Sequence, residues 1–462
     1  MAELSGPLEG PPVLISTSFD LDVVGYRTEE YLVAGTATAY EPDGDTGDDG
    51  RWEVRAAGEA GFCTRIVVNR PNEGFNGTVV VEWLNVSSGA DVAAEWLTVH
   101  RHLVRERMAW VGVSAQREGV VGGGAFRPER DGAGWFPALP SLKSSNPVRY
   151  AALEHPGDAF SYDIFTQAGR LVQVLLPTDC LLAAGASQSA AYLVTYVNAV
   201  AARTGVYDGF LVHGRPGRPA DLQGWDGEVR AGRVRVRDDS RAPVLTLQTE
   251  TDVVGVLQSL ESRQPDSECF RLWEIAGASH ADLYTIKAGF QDSGEADIAE
   301  LLAPTSSPLG PDLGVAINSG LQQHYVGQAA VAALERWVRE RVSPGTAVRL
   351  ETAGEELVLD ADGLARGGVR TPWVDVPTGV LSGLGQEKSG GAALLYGTTV
   401  PFDGATLAER YPGGRDDYLA AFSRSAEDAV ANGFLLAADV AEARGFAATA
   451  FDRLSRRDEP AT

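Results

Sequence analysis

Gly185-Ala186-Ser187-Gln188-Ser189 lies between the apolar run 179–184 and a helix-like run, 190–199. A strand, a tight turn with a central serine and then a helix form the setting in which a serine hydroxyl is exposed on a strained turn. Small residues must flank this serine, because the strand and helix backbones pass close together. In a chain with 53 glycines the five-residue pattern is expected about once by chance. The flanking strand and helix therefore carry the prediction that Ser187 is a nucleophile.

The composition is that of an acidic globular protein. The chain has 462 residues and a net charge of −24, with 44% hydrophobic and 22% charged residues. The negative charge argues against nucleic acid and anionic membranes as partners, because phosphates would be repelled. The start of the chain lacks the basic and apolar regions of a signal peptide, so we expect a cytoplasmic protein. No zinc, EF-hand or P-loop spacing occurs, and we expect neither a metal nor a cofactor.

Strand-like and helix-like segments alternate along the middle of the chain. This alternation indicates βαβ units and an α/β fold with a mostly parallel central sheet. The predicted strands are Thr78–Leu84, Ala109–Ser114, Cys180–Ala184, Gly209–His213, Val244–Gln248 and Leu272–Ala276. The predicted helices include Asp91–Met108, with Asp91 as N-cap, and Ser161–Leu175.

Composition changes suggest three parts of the chain. Residues 1–75 predict a β-rich extension of turns and short strands, packed on the core. Residues 76–345 predict the catalytic core, with an inserted cap at about 214–241 that is rich in Gly, Arg and Asp. Residues 346–462 predict a C-terminal α+β extension, also packed on the core.

A serine hydroxyl needs a base to take its proton, and the base needs an orienting acid. Among six histidines, His280 lies in a loop of small residues just after a predicted strand and follows the serine in the chain. This is the position expected for the base when the order is Ser, acid, His. His213, at the end of a strand, is a competitor. His100 and His102 lie on the predicted helix 91–108, where we expect a solvated surface role.

The acid should follow the strand that lies between the nucleophile and the base. Asp252 lies about four residues past the end of that strand, and Glu250 is close enough to be the alternative acid. Both could instead cap a helix predicted at 253–260. Asp282 follows His280 and ranks third, because it breaks the expected order.

An oxyanion hole requires two N–H donors. The backbone of Gln188 should supply one, and the loop 85–89 should supply the other, with Val86, Ser87 and Ser88 as candidates. Aromatic and apolar residues of two long segments are candidates for the substrate-binding walls: Phe126, Trp135, Phe136, Leu222 and Trp225.

Several motifs resemble those of the bacterial α/β-hydrolase domain-containing proteins of about this length. They include the segments 81–91, 110–116, 155–164, 185–190, 249–253, 278–282, 367–377 and 401–402, so the resemblance covers most of the chain from about 60 to 440. It implies an α/β-hydrolase fold with esterase or lactonase activity, similar to bacterial lactonases that open the macrocyclic lactone zearalenone. In that family the turn usually reads Gly-Glu-Ser-Gln-Ser, so Ala186 is a departure that could alter the pocket.

The expected function is hydrolysis of a carboxylic ester or lactone of a bulky, largely apolar substrate through an acyl-enzyme on Ser187. The same triad could transfer the acyl group to another acceptor, and a third hypothesis is a non-catalytic module that binds a small molecule. The expected partner is the small-molecule substrate, without nucleic acid or membrane. The sequence leaves homo-oligomerisation open.

Overall fold

The computed structural model describes residues 2–122, 139–225, 227–295 and 297–457. The chain divides into two compact units. Unit 1 comprises Met1–Thr246, Leu257–Leu272 and Leu334–Ser343, and unit 2 comprises Leu247–Val256, Trp273–Ala333 and Pro344–Thr462. This division does not follow the boundaries near 75 and 345 that the composition suggests, because both units draw on several separate segments of the chain.

Within the described ranges the strands are Glu3–Ser5 (β1), Tyr26–Pro42 (β2), Val54–Pro71 (β3), Thr78–Trp83 (β4), Ala109–Val113 (β5), Cys180–Ala186 (β6), Gly209–His213 (β7), Val244–Thr249 (β8), Phe270–Ile275 (β9), Thr352–Ala353 (β10), Glu356–Leu357 (β11), Gly379–Ser382 (β12) and Thr398–Pro401 (β13). The first nine form one sheet in the order β1-β2-β3-β5-β4-β6-β7-β8-β9. β4 pairs in parallel with β5 and β6, and β6 pairs in parallel with β7. The predicted α/β class with a mostly parallel central sheet is confirmed.

The N-terminal strands are longer than the sequence suggests. β2 and β3 have 17 and 18 residues and pair antiparallel along their length, with a register shift between Ala39 and Tyr40. β3 also pairs antiparallel with β5, so this hairpin belongs to the central sheet and is not a set of short strands. Gly35, Gly58 and Gly61 interrupt the apolar pattern, and glycine weakens a strand signal.

The middle of the sheet is fully buried. All six residues of β4 are buried, as are all five of β5 and of β7. A strand covered on both faces has this continuous apolar sequence. The ring of Trp83 in β4 lies 5.2 Å from the ring of Tyr192 and 4.9 Å from that of Phe165, so the sheet packs on the helices that flank the serine turn.

The α-helices of the described ranges are Ala94–Arg105 (α1), Arg117–Val121 (α2), Leu142–Ser145 (α3), Ser161–Leu175 (α4), Gln188–Thr195 (α5), Ala202–Thr204 (α6), Glu250–Val253 (α7), Leu283–Ile286 (α8), Gln322–Glu340 (α9), Pro372–Asp375 (α10), Gly404–Arg410 (α11), Arg415–Ala431 (α12) and Val440–Arg457 (α13). A π-helical turn, Tyr196–Ala201, joins α5 to α6. The boundaries predicted for α4 are confirmed to the residue. In the described part of the chain no helix is long and apolar enough to cross a membrane.

The start of α1 differs from the prediction. The helix begins at Ala94, and Asp91 does not cap it, because the Asp91 carboxylate accepts from Arg65 Nη2 at 2.8 Å. Glu82 of the neighbouring β4 caps the helix from outside: its oxygens accept the N–H groups of Glu95 and Trp96 at 2.9 and 3.0 Å. A carboxylate from another element thus takes the place of a local N-cap.

Unit 2 has an aromatic core of its own. The ring of Trp373 stacks on Tyr325 at 5.4 Å and meets the edge of Phe422 at 5.1 Å. Tyr418 of α12 stacks on Phe451 of α13 at 4.9 Å. The last hundred residues therefore build core structure rather than a loose appendage.

Candidate functional site

Ser187 occupies a strained turn between β6 and α5. Its backbone has φ 62° and ψ −122°, a region that residues with a side chain rarely adopt. The Ser187 N–H donates to the carbonyl of His213 at 2.9 Å, and the Ser187 carbonyl accepts from Ala191 at 3.2 Å. Ser187 and Ala186 remain partly exposed while their neighbours on both sides are buried. These features are those of a nucleophile elbow.

The close approach of strand and helix favours glycine at position 185. A Cβ atom at this position would lie 3.0 Å from the carbonyl oxygen of Ser189 and 3.4 Å from the nitrogen of Ala190. Ser189 fits at the fifth position, where it is fully buried. Serine at this position, as in the family pattern Gly-Glu-Ser-Gln-Ser, therefore does not disturb the turn.

The loop 85–89 lies beside the elbow within unit 1. Asn85 Nδ2 donates to the carbonyl of Ala186 at 3.1 Å, and the Val86 N–H points to Gln188 Oε1 at 3.4 Å. The Ser87 N–H is already bound by Asn85 Oδ1 at 2.9 Å, which argues against Ser87 as an oxyanion donor. The long Val86 contact is easily exchanged, and in the described part of the chain the Ser88 N–H shows no acceptor.

The N–H of Gln188 is free of helical partners for a general reason. Gln188 is the first residue of α5, and the first four N–H groups of a helix have no intrahelical acceptor. Its position directly after the nucleophile is the one predicted for an oxyanion donor. Gln188 and Val86 stay predictions for this role, with geometry that suits them.

In unit 2, His280 is paired with Asp252. The distance from His280 Nδ1 to Asp252 Oδ1 is 2.6 Å, and the side chains are 11% and 0% exposed. Because Nδ1 donates its proton to the carboxylate, Nε2 is left as the acceptor of the neutral ring. A partly exposed imidazole that a buried carboxylate orients in this way can accept a proton from a hydroxyl.

Asp252 also forms the start of a short helix. Its second oxygen, Oδ2, accepts from the Thr249 N–H at 2.6 Å and from Thr249 Oγ1 at 2.8 Å. The helix α7 runs from Glu250 to Val253, so the helix predicted at 253–260 is wrong. Asp252 lies inside the first turn, where it closes the capping box and holds the histidine at the same time.

The other two acid candidates have different partners. Glu250 Oε1 accepts from the Gly277 N–H at 2.5 Å, and its Oε2 accepts from Gly383 N at 2.8 Å. Asp282 caps α8 through a bond from Thr285 N at 2.8 Å. The pairing with His280 favours Asp252 as the acid over Glu250 and Asp282.

The remaining histidines are buried and have structural contacts. His100 and His102 are 0% and 3% exposed, so the expected solvated role is wrong. The reason is that α1 packs its histidine face inward, where the ring of His100 lies 6.0 Å from the ring of Phe19. Burial lowers the pKa of His102 to about 3, which keeps that ring neutral.

Sequence patterns did not reveal a second histidine–carboxylate pair. His213 Nδ1 lies 2.7 Å from Glu95 Oε1, and both side chains are almost fully buried. Glu82 lies close by, with its pKa raised to about 8 by burial and by the charge of Glu95. Glu82, a glutamate within the otherwise apolar run of β4, was the one available sign of polar groups buried in this region, because a charge in a buried strand needs a partner.

The predicted substrate-binding residues have different outcomes. Phe126, Trp135 and Phe136 lie outside the described residues. Leu222 belongs to the hydrophobic core of unit 1, and Trp225 packs against that core. The Trp225 N–H donates to Tyr192 Oη at 2.9 Å, which connects the segment 214–241 to the elbow helix. Their contact with substrate stays a prediction.

Across the described ranges no group of three or more His, Cys, Asp or Glu side chains could hold a metal ion.

A family model described as "Alpha/beta hydrolase domain" matches residues 4–444. No curated protein matches the chain. Similar solved structures include an α/β serine hydrolase without a lid from Xanthomonas campestris, at 16% identity and TM-score 0.27, covering 52% of this chain and 83% of the other. A serine hydrolase homologue from Coxiella burnetii has 15% identity and TM-score 0.27, covering 47% and 84%. A cold-adapted esterase from an Arctic intertidal metagenomic library has 13% identity and TM-score 0.29, covering 54% and 84%.

Proposed function

The chain belongs to the alpha/beta hydrolase family, and we propose that it is a serine hydrolase that cleaves a carboxylic ester or lactone through an acyl-enzyme on Ser187. The observation that carries this proposal is the backbone of Ser187, with φ 62° between a buried strand and a helix. A serine in that conformation, partly exposed, has no evident structural benefit, because the strain costs about 1–3 kcal/mol.

The proposed base is His280, oriented by Asp252. As Ser187 Oγ attacks the carbonyl carbon of the substrate, its proton passes to His280 Nε2. The imidazolium that forms is stabilised by the buried carboxylate 2.6 Å from Nδ1. The same proton then goes to the leaving alcohol, and the reverse sequence with water releases the acid. In a lactone the leaving alcohol stays attached to the acyl group.

The charge that develops on the carbonyl oxygen needs donors placed in advance. We propose the N–H of Gln188 and a second N–H from Val86 or Ser88. The Val86 N–H would exchange its 3.4 Å contact with Gln188 Oε1 for the oxyanion. Loss of one such donor usually lowers kcat by about 100- to 1,000-fold.

The net charge and the predicted substrate-binding residues support the proposed substrate class. A protein of net charge −24 suits a neutral ester better than a polyanion. The aromatic residues of the two long segments favour a bulky, apolar acyl or alcohol group. A macrocyclic lactone such as zearalenone is the candidate to test first among lactones.

The proposal is tested by turnover of a p-nitrophenyl ester with the wild type and Ser187→Ala. We expect the variant to lose roughly 10⁴- to 10⁶-fold in kcat, because the nucleophile is removed. The matched control is Ser189→Ala, whose buried hydroxyl has no partner among the described residues and should be dispensable. Unchanged turnover in Ser187→Ala would falsify the proposal.

The alternatives give distinct results in the same assay. A transferase would form a new ester when an alcohol is added, with less free acid released. A binding module would show no turnover and no labelling of Ser187 by a fluorophosphonate. A panel of esters, lactones and amides, including zearalenone, then identifies the acyl and leaving groups.

A further inference from the structure

Glu250 is a buried carboxylate that the proposed chemistry does not use. It is 1% exposed and stands two residues before Asp252. Its Oε1 accepts from Gly277 N at 2.5 Å, while Oε2 accepts from Gly383 N at 2.8 Å and Ser382 Oγ at 3.1 Å. One side chain thus joins three segments of unit 2: the turn of the acid, the loop of the histidine and the end of β12.

The ionised form of Glu250 does not stabilise the fold. Burial raises the pKa of Glu250 from 4.5 to about 7, and the donors from Gly383, Gly277 and Ser382 offset only part of that shift. The folded state therefore holds a proton more tightly than the unfolded chain does. The contribution of Glu250 to stability is therefore complete below about pH 4.5 and is lost as the pH rises to about 7.

Glycines of the C-terminal part fit against the same loop. A Cβ at Gly383 would lie 2.5 Å from the carbonyl oxygen of Ala278 and 2.7 Å from Cβ of Glu250. A Cβ at Gly397 would lie 2.8 Å from Cβ of Ser279. No side chain fits at either position without a shift, so the backbone at Gly383 and Gly397 packs directly against the residues that precede His280.

Thr251 completes the connection. Its Oγ1 donates to the carbonyl of Gly383 at 2.6 Å and accepts from the His280 N–H at 3.1 Å. The carbonyl of Ala278 in turn accepts from the N–H of Glu250 at 3.2 Å. The backbone of His280 is therefore fixed to the same turn that carries Asp252.

We propose that Glu250 is a positioning residue which, together with Gly383, holds the loop of His280 in register with Asp252. We call this arrangement the histidine clamp: Glu250, Thr251, Gly277 and Gly383. It assigns a catalytic purpose to the C-terminal part of the chain, which supplies Gly383. The test of this inference by kcat rests on the proposed function, whereas its test by NMR does not.

Above about pH 7, where Glu250 is ionised, its carboxylate suits the clamp because it only accepts hydrogen bonds. All three partners donate, and an ionised carboxylate offers lone pairs on both oxygens. An amide would turn an NH₂ group towards either Gly277 N or Gly383 N. The resulting repulsion should displace the histidine loop, and a misplacement of about 1 Å can cost roughly 100-fold in rate.

The test compares Glu250→Gln with Glu274→Gln. Glu274 is a matched control: it is 1% exposed in unit 2, and its Oε2 accepts from Leu350 N at 2.8 Å. In Glu250→Gln we expect kcat to fall about 10- to 100-fold with KM unchanged. In Glu274→Gln we expect kcat to stay within about twofold of wild type.

A proton NMR measurement reports the position of His280 without any substrate. The short bond from Nδ1 to Asp252 should give a strongly downfield proton resonance in the wild type. We expect this resonance to shift or broaden in Glu250→Gln and to stay in Glu274→Gln. Urea denaturation at pH 8 measures whether Glu250→Gln is simply unstable. We expect its free energy of unfolding to stay close to the wild-type value although kcat falls, since the substitution removes a buried charge.

A second variant keeps the inference testable if Glu250→Gln does not fold. Gly383→Ala places a methyl group between the acid turn and the histidine loop, and Gly445→Ala is its control, because a Cβ there meets nothing within 4 Å. We expect the same loss of kcat and the same NMR shift in Gly383→Ala alone.

The inference would be overturned if the folded Glu250→Gln or Gly383→Ala variant kept the wild-type kcat and the wild-type resonance. Equal losses in the controls would overturn it as well. If Ser187→Ala keeps full turnover, the proposed function fails instead, and the NMR arm still decides the clamp.

Discussion

Two histidine–carboxylate pairs have almost the same distance from the ring nitrogen to the carboxylate oxygen. His280 Nδ1 lies 2.6 Å from Asp252 Oδ1 in unit 2, and His213 Nδ1 lies 2.7 Å from Glu95 Oε1 in unit 1. Their surroundings differ: His280 follows a strand on a loop and keeps 11% of its side chain exposed, whereas His213 ends β7 and keeps 4%.

The difference shows that a carboxylate partner does not by itself make a histidine a base. His213 supports the elbow through its main chain, because its carbonyl accepts the N–H of Ser187 at 2.9 Å. His280 has its backbone held by Thr251 and its Nδ1 by Asp252. We therefore expect His280 to move protons and His213 to keep the turn of the nucleophile in place.

The largest expected effect separates the two histidines by activity. His280→Gln should lower kcat for a p-nitrophenyl ester by about 10⁴-fold or more, because the base is lost. His213→Gln should lower kcat by less than about 10-fold, since the residue acts through its backbone. The same variant should lose about 1–3 kcal/mol in free energy of unfolding, because Glu95 loses its partner. If His213→Gln loses its activity and His280→Gln keeps it, His213 is the base and the roles assigned to the two histidines are wrong.

The second prediction concerns the carboxylates. Asp252→Asn should lower kcat by about 10⁴-fold with little change in stability, because the amide favours the wrong tautomer of His280. Glu95→Gln is the matched change in the other pair and should leave kcat within about 10-fold. Steady-state kinetics and urea denaturation on both variants check this. A loss in Glu95→Gln as large as that in Asp252→Asn would contradict the distinction.

The smallest effect is a pH dependence of stability near the His213 pair. Burial, and then the charge of Glu95, raise the pKa of Glu82 from 4.5 to about 8. The folded state keeps a proton that the unfolded chain releases in this window, so this contribution to stability is present below pH 4.5 and lost by about pH 8. Urea denaturation at pH 5 and pH 8 should show the loss in the wild type, at most about 1.4 kcal/mol per pH unit. Glu82→Gln should show a smaller loss, and an equal loss would exclude Glu82 as the source.

The turn of the nucleophile and the order of the central elements could be predicted because their signals are local. β6, α4 and β7 each follow from a continuous apolar run or from helical periodicity within one segment. The family was likewise identified from its motifs, and the match over residues 4–444 confirms it.

The long N-terminal strands and the partners of Glu250 and Glu95 could not be predicted in the same way. β2 and β3 hold each other through 17 paired positions, which a single strand's sequence does not display. Glu250 accepts a hydrogen bond from Gly383, which is 133 residues away in the sequence, and Glu95 pairs with His213, which is 118 residues away. Leu222 shows the same limit, since an apolar residue on a long insert can line a pocket or join the core.

The sequence by itself determined where the candidate nucleophile stands, because a strained turn between strand and helix needs small residues at fixed places around one serine. It also narrowed the acid to two neighbouring carboxylates, since both follow the same strand. Only the tertiary structure distinguished the partners of these two candidates: Asp252 Oδ1 lies 2.6 Å from His280 Nδ1, and Glu250 accepts from the backbone of Gly277 and Gly383. The physical reason is that two side chains two residues apart on a short helical turn point in different directions, and what each meets is set by segments distant in the chain.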